Sequence, residues 1–144
     1  MAVTRYIAIA GLFEIAIFLF LAGLHFFWAF GGHPGNGVAV PEKDGRPIFR
    51  PGKGITILVA FALFSCSVVI AGRIWLFGDQ PYLLAFKIGT IAIGIVFALR
   101  AIGDLRYVGF LKRYREGRFA RWDYLLFSPL CTLISGVSFV LACN

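Results

Sequence analysis

The chain has 144 residues, of which 60% are hydrophobic and 17% aromatic against only 15% charged. That composition is too apolar for a water-soluble domain of this length, so a bilayer is the solvent to consider first. A formal net charge of +7 would suggest nucleic acid in a soluble protein, but here it is gathered into two hydrophilic stretches between apolar ones; topology and lipid headgroups account for it, and no nucleic-acid partner is expected.

Four apolar stretches, roughly 6–30, 55–77, 83–102 and 122–141, each approach or exceed the ~20 residues that a helix needs to cross a hydrocarbon core. The predicted fold class is all-α: one four-span membrane domain over 1–144, a four-helix transmembrane bundle. A Gly/Pro-rich cap loop joins helices 1 and 2, and a basic interfacial segment joins helices 3 and 4. The first stretch outruns a secretory h-region and lacks a small-x-small cleavage site before Gly31-Gly32, so it is expected to be retained.

Span one carries Glu14 within an otherwise apolar run and His25 eleven residues later. Eleven residues bring a helix round three turns plus about 20°, so both lie on the face Glu14, Phe18, Leu21, His25, Trp28, about 16 Å apart along the axis. That face should look inward, because an ionisable group facing lipid costs at least about 2.5–3.5 kcal/mol. Span direction puts Glu14 in the same layer as Arg73, at the end of span two, and Lys87, at the start of span three. Either cation could pair with Glu14 or snorkel to headgroups.

Residues 31–54 are too rich in Gly and Pro to be a helix and are expected to fold back over the bundle mouth, with a hairpin around Asp44-Gly45. In spans two and three, Cys66, Gly89, Ala92 and Gly94 are expected to be small packing residues that let helices approach. The end of span three opens the richest polar run, Arg100-Ala101-Ile102-Gly103-Asp104-Leu105-Arg106-Tyr107. Arg100 and Asp104 are spaced i, i+4 for an ion pair, and His25 and Trp28 belong to the same layer. The run continues through Lys112, Arg113 and Arg115 as an interfacial helix or turn. Span four is expected to begin near Trp122 and bend at Pro129, with Ser128, Cys131 and Thr132 beside the bend.

Lys43, Arg46, Arg50 and Lys53 lie in the first connection and Arg100, Arg106, Lys112, Arg113, Arg115, Arg118 and Arg121 at or in the third, against Arg5, Arg73 and Lys87 on the opposite side. The positive-inside rule then places both long connections in the cytoplasm and both termini outside. Three scattered cysteines without a C-x-x-C pair argue against thiol-disulfide chemistry. Two histidines, one of them in a loop, argue against haem or a structural metal, so no metal or cofactor is expected.

The strings His25-Phe26-Phe27-Trp28-Ala29-Phe30-Gly31-Gly32, Ala39-Val40-Pro41, Phe49-Arg50-Pro51-Gly52, Ala101 to Phe110, Phe119-Ala120-Arg121-Trp122-Asp123 and Ser128-Pro129-Leu130-Cys131 resemble a family of small bacterial four-span integral membrane proteins known as a domain of unknown function. The resemblance covers nearly the whole chain and implies a protein of the bacterial cytoplasmic (inner) membrane. It brings no activity, substrate or cofactor, and Glu14 lies outside it. A looser similarity, carried by Glu14 alone, is to the small multidrug-resistance exporters, from which the long connections and the strong charge bias set this chain apart.

Three functions remain open from the residues. One is binding or transport of a small amphipathic molecule or lipid, with His25, Trp28, Arg100, Asp104, Arg106, Tyr107 and Asp123 as ligand-binding candidates. Another is a membrane enzyme acting on a lipid or quinone, with His25 or Asp104 as the acid-base group. The last is an accessory role, as a homo-oligomer or as a subunit of a larger membrane complex. Membrane lipids are expected partners in each.

Overall fold

The computed structural model describes residues 2–32, 39–43, 46–48, 51–75 and 83–144. Its elements are α1 (Ala2–Ala29), β1 (Glu42–Lys43), β2 (Arg46–Pro47), α2 (Lys53–Trp75), α3 (Leu83–Ile102), α4 (Arg118–Trp122), a π-helical turn (Asp123–Phe127) and α5 (Ser128–Cys143). Because α4, the π turn and α5 run on without a break, the chain presents four helices long and apolar enough to cross a membrane, at Arg5–Ala29, Lys53–Trp75, Leu83–Ile102 and Arg118–Cys143.

The outer faces of the bundle are as apolar as its centre, and a few polar side chains lie buried between the helices. Phe20 is 70% exposed, Leu58 68% and Leu125 64%, whereas Glu14, Ser67, Thr90, Ser128, Ser135 and Ser138 are buried. Hydrocarbon solvates large apolar side chains as well as a protein core does, so nothing drives them inward, while polar groups gain by meeting each other. Thr90 and Ser67 bond the carbonyls of Phe86 at 2.8 Å and Phe64 at 2.6 Å on their own helices. The apolar centre draws on every span: Phe18 of α1, Ile70 and Ile74 of α2, Ile93 of α3, Ile134 and Leu141 of α5.

Helix α1 packs mainly on α2, and α3 on α5. The second pairing depends on Gly94: a Cβ there would lie 3.1 Å from the Phe139 ring, and the hydroxyl of Ser135 donates to the Gly94 carbonyl at 2.8 Å. Gly89 lies as close to Val69. Ala92, by contrast, is exposed, so the expectation that it serves helix contact is corrected; it lies on the lipid side of α3.

The bend at Pro129 takes a specific form. Proline has no N–H for the carbonyl four residues back and its ring crowds that carbonyl; the helix absorbs this by widening into the π turn immediately before Ser128-Pro129. The helix also starts one turn earlier than Trp122. Ser128 and Cys131 are buried beside the bend, whereas Thr132 is exposed and bonds the Ser128 carbonyl at 3.0 Å.

In the first connection β1 and β2 pair antiparallel, Glu42 with Pro47 and Lys43 with Arg46, as a hairpin around 44–45 requires, and β1 runs beside α4. Asp44-Gly45 themselves, His33-Pro34 and Phe49-Arg50 lie outside the described residues.

Candidate functional site

The connection from α3 to α4 is where chemistry gathers. It contains no helix between 103 and 117; it is a folded-back loop held by backbone bonds from Phe110 N–H to the Ala101 carbonyl (2.8 Å) and from Tyr114 N–H to the Arg106 carbonyl (2.9 Å). Helix α3 stops because Gly103 takes φ +91°, and Leu105 follows at +62°, a conformation that non-glycine residues rarely adopt.

Asp104 explains how Leu105 is held there. Its Oδ1 accepts the backbone N–H groups of Arg106 (2.9 Å), Tyr107 (2.7 Å) and Val108 (2.9 Å). Partial desolvation pushes this carboxyl up, but the three amides outweigh it and hold the group below its ordinary value of 3.8. The expected i, i+4 pair with Arg100 is therefore corrected: Asp104 has left the helix, and its oxygen is committed to organising the loop. The same engagement leaves it poorly placed for acid-base work.

With a folded-state pKa below the unfolded one, this stabilisation is fully present above the ordinary carboxylate range and is lost as pH falls through the lowered value. Amide hydrogen exchange at Arg106, Tyr107 and Val108, corrected for the intrinsic pH dependence, should stay protected at neutral pH and lose protection as pH falls below the ordinary carboxylate value of 3.8. Asp104→Ala should remove it at every pH, at about 1 kcal/mol. Equal protection in Asp104→Ala and the parent chain would refute this role.

Arg100 turns instead to Asp123, in the π turn. Asp123 is fully buried; Oδ1 takes Arg100 Nη2 at 3.0 Å, and Oδ2 takes Lys112 Nζ at 2.7 Å and the Gly109 N–H at 2.8 Å. Lys112 is itself only 3% exposed and lies 5.9 Å from the Tyr124 ring centroid. One carboxylate thus joins the end of α3, the middle of the loop and the start of the last span. Lys112 and Gly109 had no place among the candidate site residues, because no sequence periodicity relates a loop lysine to a helix eleven positions on.

A cavity of about 620 Å³ opens on the loop, lined by Asp104, Leu105, Arg106, Tyr107, Arg113 and Tyr114. The Arg106 guanidinium lies 5.1 Å from the Tyr107 ring centroid, and the Tyr107 and Tyr114 centroids are 5.9 Å apart. Arg106, Tyr107 and Asp104 are therefore brought together, with Arg113 and Tyr114 added. His25 and Trp28 take no part in this lining. They meet each other edge-on with centroids 5.1 Å apart, and His25 Nδ1 lies 2.7 Å from the Leu21 carbonyl, to which it donates. The seven ligand-binding candidates thus fall into three places: His25 with Trp28, Asp104 with Arg106 and Tyr107, and Arg100 with Asp123.

Glu14 does face inward, 1% exposed, but its partner is Ser138 of α5, whose hydroxyl donates to Oε1 at 2.6 Å. Of the two readings open for Arg73 and Lys87, pairing with Glu14 is not seen: among the described residues no salt bridge joins Glu14 to either. Lys87 is exposed, as a snorkelling lysine would be, and Arg73 is buried. The other carboxyl oxygen, Oε2, is buried without a hydrogen-bond partner among the described residues. No group of three or more potential metal ligands occurs among the described residues.

Four packed spans with apolar outer faces, a few buried polar side chains between them and a charged loop cluster at one end define a multi-pass helical membrane protein. The chain belongs to the family described as Protein of unknown function (DUF3995), whose model matches residues 18–139 and so takes in the whole loop cluster but not Glu14. No curated protein and no solved structure matches it.

Proposed function

We propose that this protein binds a small amphipathic molecule with an anionic head, such as a single-chain lipid, at the α3–α4 connection of a bacterial inner-membrane bundle. The observation that carries this is the loop cavity. About 620 Å³ lies within the range of small-molecule sites, and its lining sets Arg106 and Arg113 beside two tyrosines, two cations against the one carboxylate of Asp104, whose Oδ1 already accepts three backbone amides. Guanidinium groups offer paired donors to a carboxylate or phosphate, and the tyrosine rings receive the start of an apolar chain. The charge bias supports a cytoplasmic position for this loop and an external one for both termini; reporter fusions at the two ends test that, and cytoplasmic termini would reverse it.

Lysophosphatidic acid and lysophosphatidylcholine titrated into the protein in phosphatidylcholine nanodiscs provide the test. Saturable binding of the anionic amphiphile is expected, weakened about tenfold or more, or about 1.4 kcal/mol, in Arg106→Gln/Arg113→Gln. Equal binding of the two lysolipids, or an unaffected double variant, would sink the proposal.

A further inference from the structure

A second cavity, of about 540 Å³, is lined by Lys112, Arg115 and Arg121 on its charged part and by Phe110, Tyr124 and Leu125 on its apolar part; no acidic residue contributes to it. Tyr124 and Leu125 are 57% and 64% exposed on a membrane-spanning helix, so the cavity opens toward acyl chains. Trp122, half-exposed two residues earlier, sits where a tryptophan marks the headgroup boundary.

Lys112 links the cavity to the Arg100–Asp123–Lys112 cluster, whose charge count is uneven. Buried Asp123 is a single negative charge shared between Arg100 and Lys112, so the cluster carries one positive charge in excess, and Arg100 Nη1 is buried with no acceptor among the described residues. Arg115, whose Nε donates to the Lys112 carbonyl at 3.4 Å, and Arg121 add two more cations at the rim. Uncompensated positive charge at the edge of a low-dielectric region draws in an anion, and a phosphate offers the acceptor oxygens that such a set of donors needs.

We propose that this cavity seats the phosphate of an anionic phospholipid, with Lys112, Arg115 and Arg121 holding the headgroup and Tyr124 and Leu125 receiving an acyl chain. The lipid acts as a fixed counter-charge for the Arg100–Asp123–Lys112 cluster. The site is separate from the loop cavity lined by Arg106 and Arg113.

The experiment uses the full chain, stripped of lipid in a non-ionic detergent and given dioleoylphosphatidylglycerol or dioleoylphosphatidylcholine, with adducts counted by native mass spectrometry and thermal stability read in parallel. Phosphatidylglycerol adducts should exceed phosphatidylcholine adducts about fivefold and raise the unfolding temperature. Arg115→Gln/Arg121→Gln, at two exposed positions that leave the Lys112–Asp123 pair in place, should abolish both effects. Arg106→Gln/Arg113→Gln should keep them, whatever becomes of lysolipid binding in the loop cavity. Equal adducts of the two lipids overturn the proposal. So does loss of adducts in Arg106→Gln/Arg113→Gln alone, which would put the lipid in the loop cavity. Displacement of phosphatidylglycerol by millimolar inorganic phosphate overturns it as well, because the site would then be one for the free ion.

Discussion

Asp123→Asn is expected to cost roughly 3–5 kcal/mol of stability, the scale for removing one partner of a buried ion pair. The replacement is nearly isosteric, so packing is not the cause. With the carboxylate gone, the amide's one oxygen can accept from only one side, its NH2 faces the other, and Lys112, only 3% exposed to solvent, and Arg100 are left without a counter-charge. Lys112→Met should cost much less, about 1 kcal/mol, because Asp123 would keep the Arg100 guanidinium and the Gly109 N–H. Asp123→Asn/Lys112→Met should recover a large part of the single-variant loss, since the unpaired charge is then absent. Unfolding in mixed micelles of rising dodecyl sulfate content gives all three values. Asp123→Asn within about 0.5 kcal/mol of the parent chain would mean that this carboxylate carries no buried charge pair.

How much of this was legible in the sequence follows from which interactions are local. The four spans were, because a bilayer demands an apolar length that composition alone reveals; the third matches 83–102 to the residue. The inward face of α1 was nearly so. Its buried stripe runs Gly11, Glu14, Phe18, Ala22 and Ala29, turned slightly from the expected one, which leaves His25 and Trp28 half-buried at its rim. The partner of Glu14 was not legible. Charge reasoning looks for a cation in the same layer, whereas the structure supplies a serine 124 positions away on the last helix, and an uncharged hydroxyl leaves no mark in a charge pattern.

The loop cluster failed for a related reason. The i, i+4 rule for Arg100 and Asp104 assumes that α3 continues, but Gly103 at φ +91° ends it, and a single backbone reversal moves Asp104 off the helical face and frees Arg100 for Asp123. Asp123 stood among the ligand-binding candidates and in one of the strings that carry the family resemblance; its link to Lys112 and Gly109 exists only once the loop has folded back.

That fold-back brings two backbone segments into close contact, and Gly109→Ala is expected to break it. Gly109 sits at φ +87° against Gly103 at +91°, the two backbones crossing so closely that a Cβ on Gly109 would fall on the Ile102 carbonyl oxygen, and a Cβ on Gly103 on that of Val108. A left-handed conformation costs an alanine about 1–2 kcal/mol by itself, and forcing apart a packed contact adds roughly 1–3 kcal/mol, because backbone on the far side has no rotamer by which to yield. The loss also reaches the charge cluster. The Gly109 N–H holds Asp123 Oδ2 at 2.8 Å, and Lys112 reaches the same oxygen from three residues on, so a displaced backbone loosens both. Gly31→Ala separates the two costs. Its φ of +98° is equally left-handed but nothing lies within 4 Å of its Cβ position, so it should lose only about 1–2 kcal/mol in the same micelle titration. A Gly109→Ala protein no less stable than Gly31→Ala would show that the crossing is loose and that the Asp123 cluster is held together by its charges alone.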